Sequence, residues 1–311
     1  MTRPVLPPVS QVGVRFAHAR AVAQLTWSLS PRLRTAAAIV CVACALGDSA
    51  LASRIAPPRN SYSVADDVRA GRQAAAEAER QLPVLHDEAV RSYVATIGNR
   101  LVRAIPRNLR HPQFHYSFTV VNDRTINAFA LPGGPTYVNR GMLEAAHNEG
   151  EIAGVVAHEL SHVALRHGTA QASKAAKYEI GAAAGQILGA VIGGKVGTIV
   201  AEGSRFGIGA AFLRFPREYE RQADIEGAEI MARAGYDPRD MARMFRTLEQ
   251  QQQARGPEWL SDHPDPGNRY AYISREAQTI RVTNPIRDTR AFADVQARLK
   301  RLPPAPARAS R

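Results

Sequence analysis

The sequence predicts an α+β domain that is mainly α. Two stretches of helical composition, 64–82 and 86–105, open the folded part. An aromatic, β-branched run at 114–121 (FHYSFTVV) and a short run at 136–139 read as strands. From Glu149 onward the pattern is helical. Asp66 and Asp87 stand near the starts of the first two helices, where a carboxylate caps free backbone N–H groups. Between the strands, 125–139 holds a second apolar run broken by Pro132-Gly133-Gly134-Pro135. Ile152, Val155, Val156, Leu160 and Val163 recur at three- and four-residue steps and mark one buried helical stripe. Further helices are expected at 217–234, 238–252 and 266–278.

Composition narrows the function classes. The 311 residues carry a formal net charge of +12, with 45% hydrophobic, 6% aromatic and 22% charged content. That is enough apolar material for a core and argues against a disordered chain. No uncharged apolar run reaches the roughly 18 residues of a membrane-spanning helix. Basic residues are not interleaved with aromatic ones, so no nucleic-acid partner is expected. Cys41 and Cys44 are too few for a disulfide framework.

Residues 1–52 read as a signal peptide. Arg3, Arg15, Arg20, Arg32 and Arg34 make the start basic, 36–46 is apolar, and Ala50-Leu51-Ala52 has the small-x-small pattern of a cleavage site. Export across the inner membrane to the periplasm follows. Lipidation at Cys44 is the alternative maturation, although Cys41 fits such a signal poorly. Cleavage after Ala52 removes five basic residues and one acid, leaves +8, and removes both cysteines. Residues 53–61, with Pro57-Pro58, read as a linker, 62–287 as the folded domain and 288–311 as a partly disordered C-terminal tail. Gly181, Gly185, Gly189, Gly193 and Gly197 fall every fourth residue. On a helix they form a smooth stripe suited to close packing or membrane-surface contact, and a flexible loop is an equal reading.

The chemistry is concentrated in His158-Glu159-Leu160-Ser161-His162. Helical residues four apart share a face, so two imidazoles can bind one Zn²⁺ from the same side, with Glu159 beside them to accept a proton from water. On the order of 0.01 such matches are expected by chance in a chain of this composition. A solvated polar turn is the bland reading. It is disfavoured because unpaired imidazoles inside an apolar stripe are costly. A catalytic site needs a third protein ligand. Glu220, with Asp224 one turn later to orient a histidine, is the preferred source; Glu218 and Glu226 compete by charge alone.

These motifs together resemble the gluzincin metallopeptidases of the HtpX and CAAX-prenyl-protease superfamily (peptidase family M48), in particular its secreted bacterial envelope members. The matching segments, in order, are Asn127-Ala128-Phe129-Ala130 with Pro132-Gly133-Gly134, Glu149-x-Glu151, His158-Glu159-x-x-His162 with Arg166-His167, Glu220-x-x-x-Asp224, and His263-Pro264 with Arg269. The resemblance as a whole covers about residues 62–287. The resemblance implies a zincin-type domain with a small sheet whose edge strand lines the cleft. It makes His158, His162 and Glu220 the ligands of one Zn²⁺, Glu159 the general base, and Asp224 the support of a ligand. Glu151 is implied either as a similar support or in helix-surface pairing. His263 and Arg269 are implied near the metal, to hold the oxyanion. His263 could instead occupy the open zinc position as an off switch, or be no more than a turn residue before a proline.

The substrate backbone would add as an extra strand along an edge at Gly134, Thr136, Tyr137, Val138 and Asn139. The implied activity is a zinc metalloendopeptidase acting on unfolded or misassembled envelope proteins. A member without the helical-repeat domain or the several membrane spans of some relatives is expected. A chaperone-like binding protein with a self-closed zinc site is the competing function.

Overall fold

One helix organises the structure, a computed structural model that describes residues 53–177, 215–255, 263, 268–280 and 282–305. Residues 1–52, read from the sequence as a signal peptide, the Gly181–Gly197 stripe and the last six residues lie outside the described residues. The elements in chain order are α1 (Val64–Gln81), α2 (Glu88–Ala104), β1 (Ser117–Val121), β2 (Ala128–Ala130), β3 (Pro135–Asn139), α3 (Arg140–Ala145), α4 (Glu149–Ala164), α5 (His167–Lys177), α6 (Arg217–Arg233), α7 (Pro238–Arg255), α8 (Arg269–Thr279) and α9 (Arg290–Arg301), with a short 3₁₀ turn at Arg107–Leu109. Among the described residues no helix is long and apolar enough to cross a membrane.

Local signals start the helices, at Asp66 and Asp87 as expected and also at Ser63 and Asn148. Ser63 caps α1 in a reciprocal box with Asp66. Asp87 caps α2 by accepting from the Val90 N–H at 3.1 Å. Asn148 caps α4 by accepting from the Glu151 N–H at 3.0 Å. The α2 stripe of Val90, Val94, Ile97 and Leu101 is buried against β1 and α4.

Helix α4 departs from the one-sided stripe. Every residue from Glu149 to Ala164 is buried. Small residues on its remaining faces admit two more helices. A Cβ on Gly154 would lie 2.7 Å from the Met241 Cα of α7, and one on Gly227 of α6 would lie 3.2 Å from the His158 backbone nitrogen. Backbones therefore approach side by side, and the polar residues of α4 face protein rather than water.

The three-stranded sheet has the order β1-β3-β2. β3 pairs in parallel with β1 and antiparallel with β2. The predicted substrate edge at Gly134, Thr136, Tyr137, Val138 and Asn139 is corrected here: β3 is the central strand, with ladder partners on both sides. The short alanine-rich run 128–130 takes the position beside it, and Phe129 stacks on Tyr137 with ring centroids 4.9 Å apart.

The chain ends also differ from expectation. Residues 53–61 are tied along the domain, with the Asn60 side chain donating to Thr169 Oγ1 at 2.7 Å and the Ser61 N–H donating to Ser173 Oγ at 3.0 Å. The tail expected from residue 288 instead begins as α9, which buries Val295 and Leu299. Arg140 donates to the carbonyls of Leu299 (2.7 Å) and Pro303 (2.6 Å), and Arg298 reaches both oxygens of Asp87 at 2.7 Å. Val295 and Leu299, with Phe292 and Leu302 packed beside them, suffice once α2 and α3 supply the facing surface.

Gly154→Ala tests the helix contact. It should destabilise the protein by about 1–3 kcal/mol through overpacking and lower Tm by several degrees in calorimetry. An unchanged Tm would show that α4 and α7 do not approach as described.

Candidate metal centre

Because α4 is buried all round, its polar side chains must find partners inside the protein. His158 and His162 lie one turn apart with their Nε2 atoms 3.0 Å from each other. Helix α6 brings Glu220 to them, with carboxylate oxygens 3.4 Å from His158 Nε2 and 3.5 Å from His162 Nε2. His263 arrives from the far end of the chain, its Nδ1 3.3 Å from His158 Nε2 and 3.2 Å from Glu220 Oε1. One ligating atom from each of these four residues lies within 4.8 Å of all the others, and all four residues are buried.

This donor set fits a zinc ion. Tetrahedral zinc with about 2.0–2.1 Å bonds to nitrogen places its ligand atoms roughly 3.3 Å apart, close to the separations found. Two Nε2 atoms aimed at each other have no good hydrogen-bond arrangement unless one is protonated. A shared cation removes the conflict. Glu159 flanks the set, 3.4 Å from His263 Nε2.

The supports behind the ligands differ from one histidine to the other. His158 Nδ1 donates to Asp224 Oδ1 at 2.8 Å, which leaves Nε2 for an ion. His162 Nδ1 instead meets His167 Nδ1 at 2.9 Å, and His167 Nε2 lies 3.1 Å from Gln222 Oε1. With Gln222 accepting, His167 Nε2 carries the proton and Nδ1 accepts from His162. A neutral relay thus sets the tautomer of His162 while a carboxylate sets that of His158. Phe215 stacks on His162 at 4.1 Å, and Tyr219 stacks on His167 at 4.5 Å.

The electrostatics follow this division. Burial opposes charge on His158, but Asp224 and then Glu220 outweigh it and lift its pKa to about 9. Burial and the neighbouring imidazoles drive His162 well below its ordinary value against the pull of Glu220. Burial pushes His167 down to about 3, so it remains an acceptor. Burial would raise the Glu220 carboxyl, yet His263 and His162 hold it well below the usual range. The cluster attracts positive charge, and an ion would compete with the His158 proton for it.

Arg269 has a different part from the predicted oxyanion one. It is 1% exposed. Its Nε donates to Asp224 Oδ2 and its Nη2 to Glu220 Oε2, both at 2.7 Å. The guanidinium lies 4.6 Å over the Phe245 ring. Arg269 therefore clamps the two carboxylates of α6 from behind. Tyr272, one turn along α8, donates to the same Asp224.

Of the two roles open to Glu151, the structure shows pairing with a neighbour one turn away and not support of a zinc-site histidine. It accepts from the backbone N–H of His147 at 2.8 Å and contacts the His147 ring at 3.1 Å, at the opposite end of α4 from His162. Seven residues of helix separate it from His158 by about 10 Å.

Sequence reasoning missed Phe215, Gln222 and Tyr272. Tyr272 stands three residues after Arg269, so helical spacing could have indicated it. Nothing local marks Phe215. Ala130, Leu131, Pro132, His162, Val163, Arg166 and Phe215 line one cavity, which places the end of β2 beside the cluster. Asn127 C=O accepts from the Asn139 N–H, and the Leu131 N–H donates to Pro135 C=O, so both point to β3. Strand alternation turns the backbone groups of Ala128 and Ala130 to the other side. The edge strand of the sheet at the site is β2.

Comparison with known proteins matches this arrangement. The profile of peptidase family M48 fits residues 88–277. The beta-barrel assembly-enhancing protease of Escherichia coli K12 is 29% identical over 265 residues, covering 83% of this chain and 54% of the relative. The protein of that name from Yersinia pestis is 31% identical over 204 residues, covering 64% and 41%. The mitochondrial metalloendopeptidase OMA1 of Saccharomyces cerevisiae is 34% identical over 167 residues, covering 50% and 45%. The chain spans about half the length of the curated relatives it matches. The profile match covers the helix with paired histidines, the acid-bearing helix and the arginine that clamps it, and the chain belongs to peptidase family M48.

Proposed function

We propose that this member of the family is a zinc-dependent endopeptidase that hydrolyses misfolded or misassembled proteins of the cell envelope. The observation that carries the reading is the convergence of His158, His162 and Glu220 with Glu159 at their side. These three residues would hold one zinc ion. A zinc ion in such a site supplies Lewis acidity to the scissile carbonyl and acidifies water. Glu159 takes the proton of the attacking water and delivers it to the leaving amine. Asp224 and His167 keep the two ligand imidazoles in the tautomers that present Nε2, and Arg269 keeps Glu220 in reach.

The substrate backbone would pair along the side of Ala128 and Ala130 turned away from β3, beside His162; both residues are buried, so this edge must be uncovered before a substrate can pair there. Backbone pairing reads little side-chain identity, which suits unfolded proteins as substrates. The envelope setting is supported by the leader-like composition of residues 1–52 and by the names of the bacterial relatives. Cleavage after Ala52, periplasmic residence, and membrane-surface contact through Gly181–Gly197 belong to this reading, with a lipid anchor at Cys44 as the alternative.

His263 favours a second reading. Its Nδ1 stands within the donor set, where a fourth protein ligand would exclude the attacking water. Peptidase function then requires His263 to leave. A site kept closed would make the protein a chaperone-like binding protein.

Glu159→Gln should cut hydrolysis of an unfolded protein by about 10²–10⁴-fold, with zinc content by metal analysis unchanged. Full activity in that variant would remove Glu159 from the reaction. His263→Ala should raise turnover if the histidine closes the site at rest. Zinc bound with no turnover in wild type or His263→Ala would favour the binding-protein reading. Asp224→Asn should weaken zinc about 10–100-fold in chelator competition; an unchanged affinity would show that His158 needs no anchoring.

A further inference from the structure

Helix α6 carries a buried acid that the site does not use. Glu226 is fully buried, six residues after Glu220 and immediately before Gly227, which abuts the His158 backbone. Its Oε2 accepts from the Ser53 hydroxyl. Its Oε1 is buried without a hydrogen-bond partner among the described residues. The nearby arginines pair directly with other acids, Arg54 with Glu276 and Arg233 with Glu229, and act on Glu226 only through longer-range attraction. Leaving a buried carboxylate half-satisfied is costly, and burial lifts its pKa to about 7.

Ser53 is also the residue that follows Ala50-Leu51-Ala52. Its N–H donates to Asn108 Oδ1 at 2.7 Å, and its hydroxyl also accepts from the Ile55 N–H at 2.9 Å. The first residue after the leader pattern is therefore held on the domain through both its nitrogen and its side chain. In a serine the two atoms are about 3 Å apart, so the nitrogen lies within roughly 5 Å of the Glu226 carboxylate.

We propose that cleavage after Ala52 creates an α-ammonium group on Ser53 that pairs with Glu226 and locks α6. This rests on the reading that residues 1–52 are a cleaved signal. A signal peptidase hydrolyses the Ala52–Ser53 bond: water gives its hydroxyl to the Ala52 carbonyl and a proton to the Ser53 nitrogen. A free α-amine, with a usual pKa of about 7.7–8.0, takes a further proton at neutral pH beside an acid. One amide N–H becomes three donors. One can stay with Asn108, and the others are available to Glu226. Processing would then complete the anchoring of the helix that bears Glu220 and Asp224.

Two experiments separate the parts. N-terminal sequencing of the protein from the envelope of cells expressing the full chain should find Ser53 first; a different first residue overturns the proposal at its premise. Independently, zinc-loaded protein made to begin at Ser53 is compared with protein beginning two residues earlier, at Leu51. The extension should lower Tm by about 5–10 °C, and Glu226→Gln should abolish that difference. The α-amine beginning at Ser53 should also be acylated more slowly by acetic anhydride than the one beginning at Leu51, read by mass spectrometry without any substitution. Equal Tm values and equal labelling would overturn the pairing even if cleavage at Ala52 is found.

Discussion

The structure depends on holding two carboxylates, Glu220 and Asp224, inside a helical core. Each loses its water on burial, at a cost of several kcal/mol before partners are counted. Arg269 answers both with a single fork, and the imidazoles of α4 answer from the other side. The arrangement is mutual. Arg269 is tolerable in the core because the acids meet it and Phe245 covers it. The acids are tolerable because Arg269 and the histidines meet them. Removing any one member leaves a buried charge without compensation, so the chemistry of the site and the stability of the core are one problem.

That coupling explains the crowded helix contacts. For Glu220 to reach His158 and His162, α6 must lie almost against α4. Gly227 makes this approach available, as Gly154 does for α7. The histidine pair is then stiffened differently on its two sides. A carboxylate fixes His158, whereas His162 leans on His167 and Gln222 and is covered by Phe215. The second support is neutral and packed between rings, so it orients His162 without adding charge to an already acidic centre.

Much of the site was legible because its spacing is local. Two histidines four apart share a helix face whatever surrounds them, and Glu220 with Asp224 one turn later does the same on a second helix. Capping at Ser63, Asp87 and Asn148 is similarly local. The edge strand was misread at residues 134–139 because centre and edge are not properties of a strand but of its neighbours. β3 has the stronger strand character, yet it gains β1 on one side and the short run 128–130 on the other. For Glu151 helix register left support of a histidine and pairing along the helix both open. Distance along the axis carries it to the far end, where it answers His147.

By itself the sequence marked His158, His162 and Glu220 as residues that would gather, since motif spacing, helix periodicity and caps act within a few residues. It also determined the mainly helical class. Tertiary structure alone decided that α4 would be buried on every face, that β2 would be the edge beside His162, that Arg269 would clamp acids rather than face a substrate, and that residues 290–301 would pack as a helix. Each of these depends on contacts between residues far apart in the chain. Such contacts are settled by what each surface meets once the backbone has closed, which no local pattern records.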